Sequence, residues 1–290
     1  MFPALMHKVS TMKTLKVAVF FLVIFTVVLI SCTKDDSKNQ STQPTTELST
    51  TVQVSLADDQ VNEGIAAAMD AADGTEDGNA DLRPVSCAVI TTNTDLKTIT
   101  IDFGTGCINP VTGRTRSGKI TVGYTGTSYT LATQRTIRFE NYKGMDSLTL
   151  NGVFTQSNIV RTQNTVSFTL STSDFTFLFA DGKTHTIITY TRDFIINLGE
   201  DHRNFSDDTT TISGSTTGIN KEGEPYSVTI ITPVVFEGTC ALNQIFYPTK
   251  GTYDIKIGNK PKFNISWGNG ACDKVVTITY LGITIDVALK

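Results

Sequence analysis

The chain has 290 residues, a formal net charge of -4 from 24 Lys and Arg against 28 Asp and Glu, and 39% hydrophobic residues. This hydrophobic content is too high, and the net charge too small, for a chain that is disordered throughout. The length fits one large domain or two ordinary ones. Nucleic acid is excluded as the expected partner, because a mildly acidic chain has no surplus of Lys and Arg to neutralise phosphates.

A charged and then apolar segment opens the chain and is typical of a signal peptide. Lys8, Lys13 and Lys16 precede an apolar run from Val17 to Ile30 that is interrupted only by a threonine. The run has the length of a signal-peptide core and falls short of the roughly 20 residues that a membrane-spanning helix needs. A transmembrane anchor in the mature protein is therefore not expected.

The apolar run ends in Leu29-Ile30-Ser31-Cys32, which resembles a bacterial lipobox. The resemblance implies that residues 1–31 are removed and that Cys32 becomes the first mature residue, carrying acyl chains such as palmitate on its sulfur. The protein would then reach its membrane partner through N-terminal lipid. An ordinary secretory signal with a chance cysteine at its end is the alternative. Because Met12 is followed by Lys13 as in many such signals, the true start codon is either Met1 or Met12.

The residues that follow the cysteine are polar and charged. Lys34, Asp35 and Asp36 resemble the short Lys-acidic-acidic export signal of lipoproteins in Bacteroidota, which implies display on the outer face of the outer membrane. A solvated tether with no export role, on a lipoprotein that faces the periplasm, is the alternative. Residues 32–56 are expected to be a flexible tether, since their composition cannot bury enough apolar surface to offset the entropy of ordering.

Residues 57–84 are predicted to form one short helix and an acidic linker. Val61, Ile65, Ala68 and Met69 recur at helical spacing, and acidic residues near the start of this stripe favour a helix N-terminus. The acidic, glycine-punctuated linker that follows only partly matches a calcium loop, because Pro84 stands where a bidentate Glu is needed. No metal site is predicted there.

Residues 85–290 are predicted to be an antiparallel all-β domain. The segments 98–103, 119–124, 174–180 and 275–280 alternate apolar and polar residues with a period of two, as half-buried strands do. Turn signals such as Asn151-Gly152 and Asp181-Gly182 separate them, which indicates hairpins and meanders instead of crossover helices. The pattern leaves a sandwich and a curled barrel or half-barrel equally open.

Four cysteines remain if Cys32 carries lipid, an even number in an exported chain. A strand, an aromatic residue and Gly-x-Gly precede both Cys107 and Cys272, and a Cys-Ala dipeptide begins at both Cys87 and Cys240. This internal echo predicts the disulfides Cys87–Cys107 and Cys240–Cys272. Four reduced, buried cysteines are the alternative. The Gly-x-Gly pairs are expected to be bulges or turns, because no helix follows them to form a phosphate site.

No catalytic residue, metal site or cofactor is predicted. His185 and His202 are the mature histidines, and neither belongs to a zinc or serine-hydrolase motif. Carboxylates in loops remain available for glycoside cleavage, which depends on their separation in space. These acids are Glu200, Asp201, Asp207, Asp208, Glu222, Glu224 and Glu237.

Aromatic and basic side chains offer two further binding hypotheses. Flat aromatic rings can form a platform for sugars. The candidates for it are Tyr124, Tyr129, Tyr142, Tyr190, Tyr253 and Trp267. Phe175, Phe177 and Phe179 fall on one strand face and are expected in the core instead. Arg114, Arg116 and Lys119 are expected at a basic hairpin tip, either solvated or facing an acidic ligand.

In layout the whole chain resembles the β-rich surface lipoproteins of Bacteroidota, with a lipobox, an acidic export tail, a short helix and a β domain with paired cysteines. This resemblance implies a lipid-anchored protein of the outer membrane, exposed at the cell surface. The function expected from the sequence is a non-enzymatic binding or structural module, with a glycan or a surface protein as its partner. The alternative is a hydrolase that cleaves glycans with loop carboxylates.

Overall fold

The computed structural model describes residues 65, 68, 87–108, 115–144, 148–200, 205–241, 245 and 247–288. The signal peptide, Cys32, the export residues Lys34, Asp35 and Asp36, and the tether lie outside this range. The strands are β1 (Val89–Asn93), β2 (Thr98–Asp102), β3 (Cys107–Ile108), β4 (Thr115–Tyr124), β5 (Arg135–Lys143), β6 (Thr149–Arg161), β7 (Thr165–Leu178), β8 (Thr184–Asn197), β9 (Thr209–Ile219), β10 (Pro225–Glu237), β11 (Lys250–Ile257), β12 (Phe263–Asn269), β13 (Val275–Tyr280) and β14 (Ile283–Ala288). A 3₁₀ turn (Phe205–Asp207) precedes β9, and one helical turn (Gly238–Ala241) follows β10.

The strands form a single antiparallel meander. Each strand pairs with its neighbour in the chain, from β1 and β2 through β4 to β14, and the short β3 pairs with β4 alone. The sheet is open: among the described strands, β1 and β14 are its two edge strands and do not pair with each other. This confirms the all-β fold built from hairpins. It also favours one curved sheet over the two facing sheets of a sandwich.

One face of this sheet is apolar and the other polar, because side chains alternate along each strand. In β5, Ile137 and Phe139 are buried while Thr136 and Arg138 are exposed. Cross-strand pairing extends the buried positions into a row from Ile99 through Val122, Ile137 and Phe154. Below, these two sides are called the apolar face and the polar face.

The apolar face carries two separate hydrophobic clusters. The first extends over β2 to β8 and includes Ile65 and Ala68, which are helical and buried against it. These two residues belong to the predicted helical stripe, whose other members lie outside the described residues. The second cluster occupies β10 to β13, with Tyr226, Ile255 and Phe263 among its buried members. At roughly 25 cal/mol per Å² of apolar surface buried, such clusters are the main favourable contribution to folding.

Beta-bulges bend three neighbouring strands and change their alternation. Asn141 in β5, Asn158 in β6 and Asp174 in β7 have φ angles of 50°, 54° and 59°, a left-handed conformation that Asn and Asp tolerate better than other non-glycine residues. The pairing register shifts near Asn141 and Asn158. Each bulge is a point where strands of this length can curve.

Gly152 shows why glycine is needed at one of these bends. Its φ is 138°, and a Cβ atom at this position would overlap the ring of Phe175 on the adjacent strand. The ring therefore lies directly over the backbone of β6, in the first hydrophobic cluster. A side chain at this position would displace Phe175 and strain the backbone.

Two disulfides have the pairing that the internal echo predicted. Cys87 is bonded to Cys107, which ties the residues before β1 to β3. Cys240 is bonded to Cys272, which ties the helical turn after β10 to the loop before β13. The Cα atoms are 5.5 and 5.3 Å apart, within the ordinary range. Crosslinks of this kind typically stabilise a domain by about 2 to 4 kcal/mol.

Candidate functional site

A continuous row of hydrogen-bonding side chains crosses the polar face of the sheet. Direct cross-strand pairing places one residue of every strand except β3 in this row, and none of them is buried. The members are Asn93, Thr98, Gly123, Thr136, Thr155, Ser171, Thr191, Ser215, Thr229, Asp254, Asn264, Thr279 and Thr284. Gly123 is the only member without a polar side chain. We call this set the hydroxyl row.

The spacing of the hydroxyl row follows from the sheet itself. Neighbouring strands lie about 4.7–4.9 Å apart, so successive members of the row repeat at that distance. A second row runs beside its central part through Ser173, Thr189, Thr217 and Ser227, two residues away along each strand. Each hydroxyl is one donor and an acceptor. The polar face therefore presents a two-dimensional array of hydrogen-bonding groups.

Several members of this face already bond to one another. The hydroxyls of Thr279 and Thr284 are 2.9 Å apart, and those of Thr189 and Thr217 are 2.6 Å apart. The hydroxyl of Thr169 donates to Asp193 Oδ1 at 2.7 Å. Each such pair still has unused lone pairs for a further partner. The cross-strand bonds hold the side chains in fixed orientations.

Asp254 supplies a fixed negative charge within the hydroxyl row. Asn264 Nδ2 donates to its Oδ1 at 2.9 Å, and Lys262 Nζ donates to its Oδ2 at 2.6 Å. Partial burial raises the pKa of this carboxyl, but the two hydrogen bonds and the lysine charge outweigh burial, so the pKa lies below its ordinary value of 3.8. Asp254 is ionised at neutral pH, with Lys262 as its counter-charge.

A buried polar group on the apolar face was not predicted from the sequence. His185 in β8 is 1% exposed, and its Nε2 lies 2.7 Å from the hydroxyl oxygen of Tyr226 in β10. Tyr226 crosses the intervening β9 over Gly218, where a Cβ atom would overlap the tyrosine ring. Burial lowers the pKa of His185 from 6.5 to about 4. The imidazole is therefore neutral at pH 7 and serves the core.

Two arginines also lie on the apolar face, and no sequence pattern predicted their burial. The guanidinium of Arg135 lies 3.7 Å from the centroid of the Tyr129 ring, and its Nη2 donates to the Tyr129 carbonyl at 2.9 Å. Arg192 lies over the ring of Tyr190 at 5.3 Å. Both arginines contribute cation–π contacts to the first cluster.

The predicted aromatic platform is not formed. Tyr129, Tyr142 and Tyr190 are all buried in the first hydrophobic cluster, as are Phe175 and Phe177. The prediction was wrong for these three tyrosines: Tyr142 in β5 and Tyr190 in β8 point to the apolar face, and Tyr129 packs against the same cluster from the connection between β4 and β5. The expectation for Phe175 and Phe177 is confirmed, and Phe179 is partly buried against the same cluster.

The remaining platform candidates do not form a shared exposed strip. Tyr124 is half-buried and meets Tyr129 edge to face. Tyr253 and Trp267 are half-buried beside the second cluster, where Trp267 stacks nearly parallel to Tyr247 with ring centroids 6.3 Å apart. These rings therefore contribute to packing.

The candidate acids are distributed over different parts of the sheet. Glu224 pairs with Lys260 at 3.0 Å, and Glu237 Oε2 accepts from the Thr209 hydroxyl at 3.0 Å. Asp208 Oδ1 accepts from the Gly199 backbone N–H at 3.1 Å, beside an open depression that Glu200 lines. Asp201 lies outside the described residues. Among the described acids, Glu200 lines this depression, and the carboxylates of Asp207 and Asp208 both lie against Gly199 beside it.

The predicted basic tip is split between the two faces. The Arg116 guanidinium lies 6.0 Å from the Phe103 ring centroid on the apolar face, whereas Lys119 is opposite Glu140 and Asp102 on the polar face. Arg114 lies outside the described residues. Arg116 and Lys119 therefore cannot meet one anionic ligand together.

No protein-family model, curated protein or solved structure matches the chain significantly. Within the described ranges, no helix is both long and apolar enough to cross a bilayer. The same residues contain no cluster of three or more His, Cys, Asp or Glu side chains placed to hold a metal ion.

Proposed function

We propose that the protein is a lipid-anchored module of the outer membrane that binds its ligand on the polar face of the sheet and does not transform it. The observation that carries this proposal is the hydroxyl row, which runs from β1 to β14 without a buried member. The lipobox at Cys32 and the residues Lys34, Asp35 and Asp36 support the anchor and its display at the cell surface. Attachment on the periplasmic side is the alternative location.

We name a glycan as the ligand class. A polysaccharide presents hydroxyls along its length, and each of them donates and accepts hydrogen bonds as the row does. The row has little net charge, because Lys262 balances Asp254, so a neutral polymer fits it better than a polyanion. A surface protein or a purely structural role is the alternative for the same face.

Binding is tested with the full chain on a glycan array, followed by analysis of every bound polymer for cleavage products. We expect the triple variant Thr191→Val, Ser215→Ala and Thr229→Val to bind about 100-fold more weakly, since each lost hydrogen bond contributes about 1 kcal/mol. The matched control is Thr184→Val, an exposed threonine on the same strand as Thr191 but outside the row. It should bind as the unmodified chain does.

Two results would contradict this assignment. Equal affinity of the triple variant and the control would remove the hydroxyl row as the binding site. Cleavage of a bound polymer would favour the hydrolase alternative instead, and the first acids to replace would be Glu200 and Asp208 beside the depression at the end of β8.

The anchor is tested by cell fractionation. Cys32→Ala is expected to move the protein from the membrane fraction to the soluble fraction, because the acyl chains on that sulfur supply the membrane affinity. Replacing Lys34, Asp35 and Asp36 with Ala is the matched comparison, which should keep the membrane attachment and lose labelling on intact cells. Continued membrane partitioning of Cys32→Ala would refute lipidation, and unchanged surface labelling of the triple alanine variant would refute the export signal.

A further inference from the structure

The last strand of the sheet, β14, is an edge with little of the usual protection against pairing. It pairs with β13 in an unbroken register of six residues, and its other side has no partner among the described strands. Natural edge strands are generally protected by charged side chains, especially lysine, by proline or by a bulge. The sequence Ile283-Thr-Ile-Asp-Val-Ala288 contains no lysine, proline or bulge, and Asp286 is its one charged residue.

Exposed apolar side chains extend from the core to this edge. Ile283 is 69% exposed and Ile285 is 46% exposed, and each lies opposite a residue of the apolar face in β13. Val287, the next residue on that side, is partly buried against the second hydrophobic cluster. The apolar face thus continues onto β14 and remains uncovered there, which is typical of a protein interface.

The sequence of β14 is complementary to itself in one antiparallel register. With Ile285 opposite its own copy, Ile283 lies opposite Val287, so apolar side chains meet on the apolar face. On the polar face, Thr284 then lies opposite Asp286. The protein already contains this type of contact, since the Thr277 hydroxyl donates to Asp286 Oδ1 at 2.6 Å across β13 and β14.

The same register avoids electrostatic and steric conflict. The two Asp286 carboxylates face threonines and not each other, and Ala288 lies opposite Gly282, where space is ample. Pairing β14 with β1 of another copy is less favourable, because the apolar face of β1 carries Thr92 beside Ile90, so fewer apolar side chains would meet there.

We propose that two copies of the protein associate through β14 in this register and form one continuous antiparallel sheet across a two-fold axis. Main-chain hydrogen bonds between the two β14 strands contribute affinity in any register. The isoleucine contacts select this register over the others. The contact area of one strand pair is small, so we expect a reversible dimer. The hydroxyl rows of the two copies then lie on the same side of the extended sheet. This dimer does not depend on the ligand class proposed above.

Cysteine crosslinking in cells that produce the full chain tests the register. Ile285→Cys should form a covalent dimer on mild oxidation, because residue 285 faces itself. Ile283→Cys and Val287→Cys should crosslink with each other when produced together, and neither should crosslink efficiently alone. The control is Ile231→Cys, which is 55% exposed on the interior strand β10. The unmodified chain measures the background from its native cysteines.

A second variant separates association from crosslinking chemistry. Ile285→Lys should raise the dissociation constant of the dimer about 100-fold, measured by light scattering of the full chain, because it removes apolar contacts and opposes two ammonium groups. Ile231→Lys should leave the dissociation constant unchanged. The proposal is overturned if Ile285→Cys crosslinks no better than Ile231→Cys, or if the unmodified chain is monomeric at every concentration.

Discussion

Phe154→Ala is expected to lower the free energy of unfolding by about 3–5 kcal/mol, the usual cost of deleting a large buried aromatic side chain. Phe154 is fully buried, and its ring contacts Phe175 at a centroid distance of 4.7 Å and Tyr190 at 5.3 Å. These rings come from three neighbouring strands. The cavity would therefore remove contacts that tie β6 to β7 and β8.

The measurement is urea unfolding followed by tryptophan fluorescence and circular dichroism. Phe154→Leu is the matched control and should cost less than about 1.5 kcal/mol, since most of the volume is kept. Leu131→Ala, at a position 73% exposed, should change stability by no more than about 0.5 kcal/mol. If Phe154→Ala were as mild as Leu131→Ala, the position of Phe154 at the centre of the first cluster would be wrong.

Acidification is expected to destabilise the protein through His185. The pKa of this imidazole is about 4 in the folded protein and 6.5 in its ordinary state. Below pH 6.5 the unfolded chain binds a proton that the folded chain does not, so stability falls as the pH falls from 6.5 to about 4. One pKa unit corresponds to 1.36 kcal/mol, which gives a loss of about 3 kcal/mol over this window. Above pH 6.5 the contribution is constant.

The comparison with His185→Gln isolates this effect from the carboxyl groups that titrate in the same range. Glutamine keeps a polar atom near the Tyr226 hydroxyl and does not titrate. The free energy of unfolding of the unmodified protein should therefore fall about 3 kcal/mol further than that of the variant between pH 7 and pH 4. Parallel profiles for the two proteins would show that His185 titrates normally and is not held neutral by burial.

The hydroxyl row and His185 differ in how well local sequence patterns predict them. Most members of the hydroxyl row are threonines or serines, which polar strand positions commonly carry, so no single strand reveals the row. It appears only when the pairing of all neighbouring strands is known, because each member is defined by the residue opposite it. No local sequence pattern predicts the burial of His185. Its neutral state depends on burial under Tyr226, a residue far away in the chain.

Local sequence patterns predict that this domain is antiparallel and all-β, that hairpins connect its strands, and that Cys87 pairs with Cys107 and Cys240 with Cys272. These properties follow from period-two alternation, turn residues and a repeated local motif, all of which act over short distances. Which face of each strand is buried follows only from the three-dimensional structure. The bulge at Asn141 illustrates the reason: Ile137 and Phe139 point to the core, but the next core residue is Tyr142, one position out of step. Because each extra residue reverses the alternation of the rest of its strand, the composition of both faces depends on backbone geometry and strand register that no local pattern specifies.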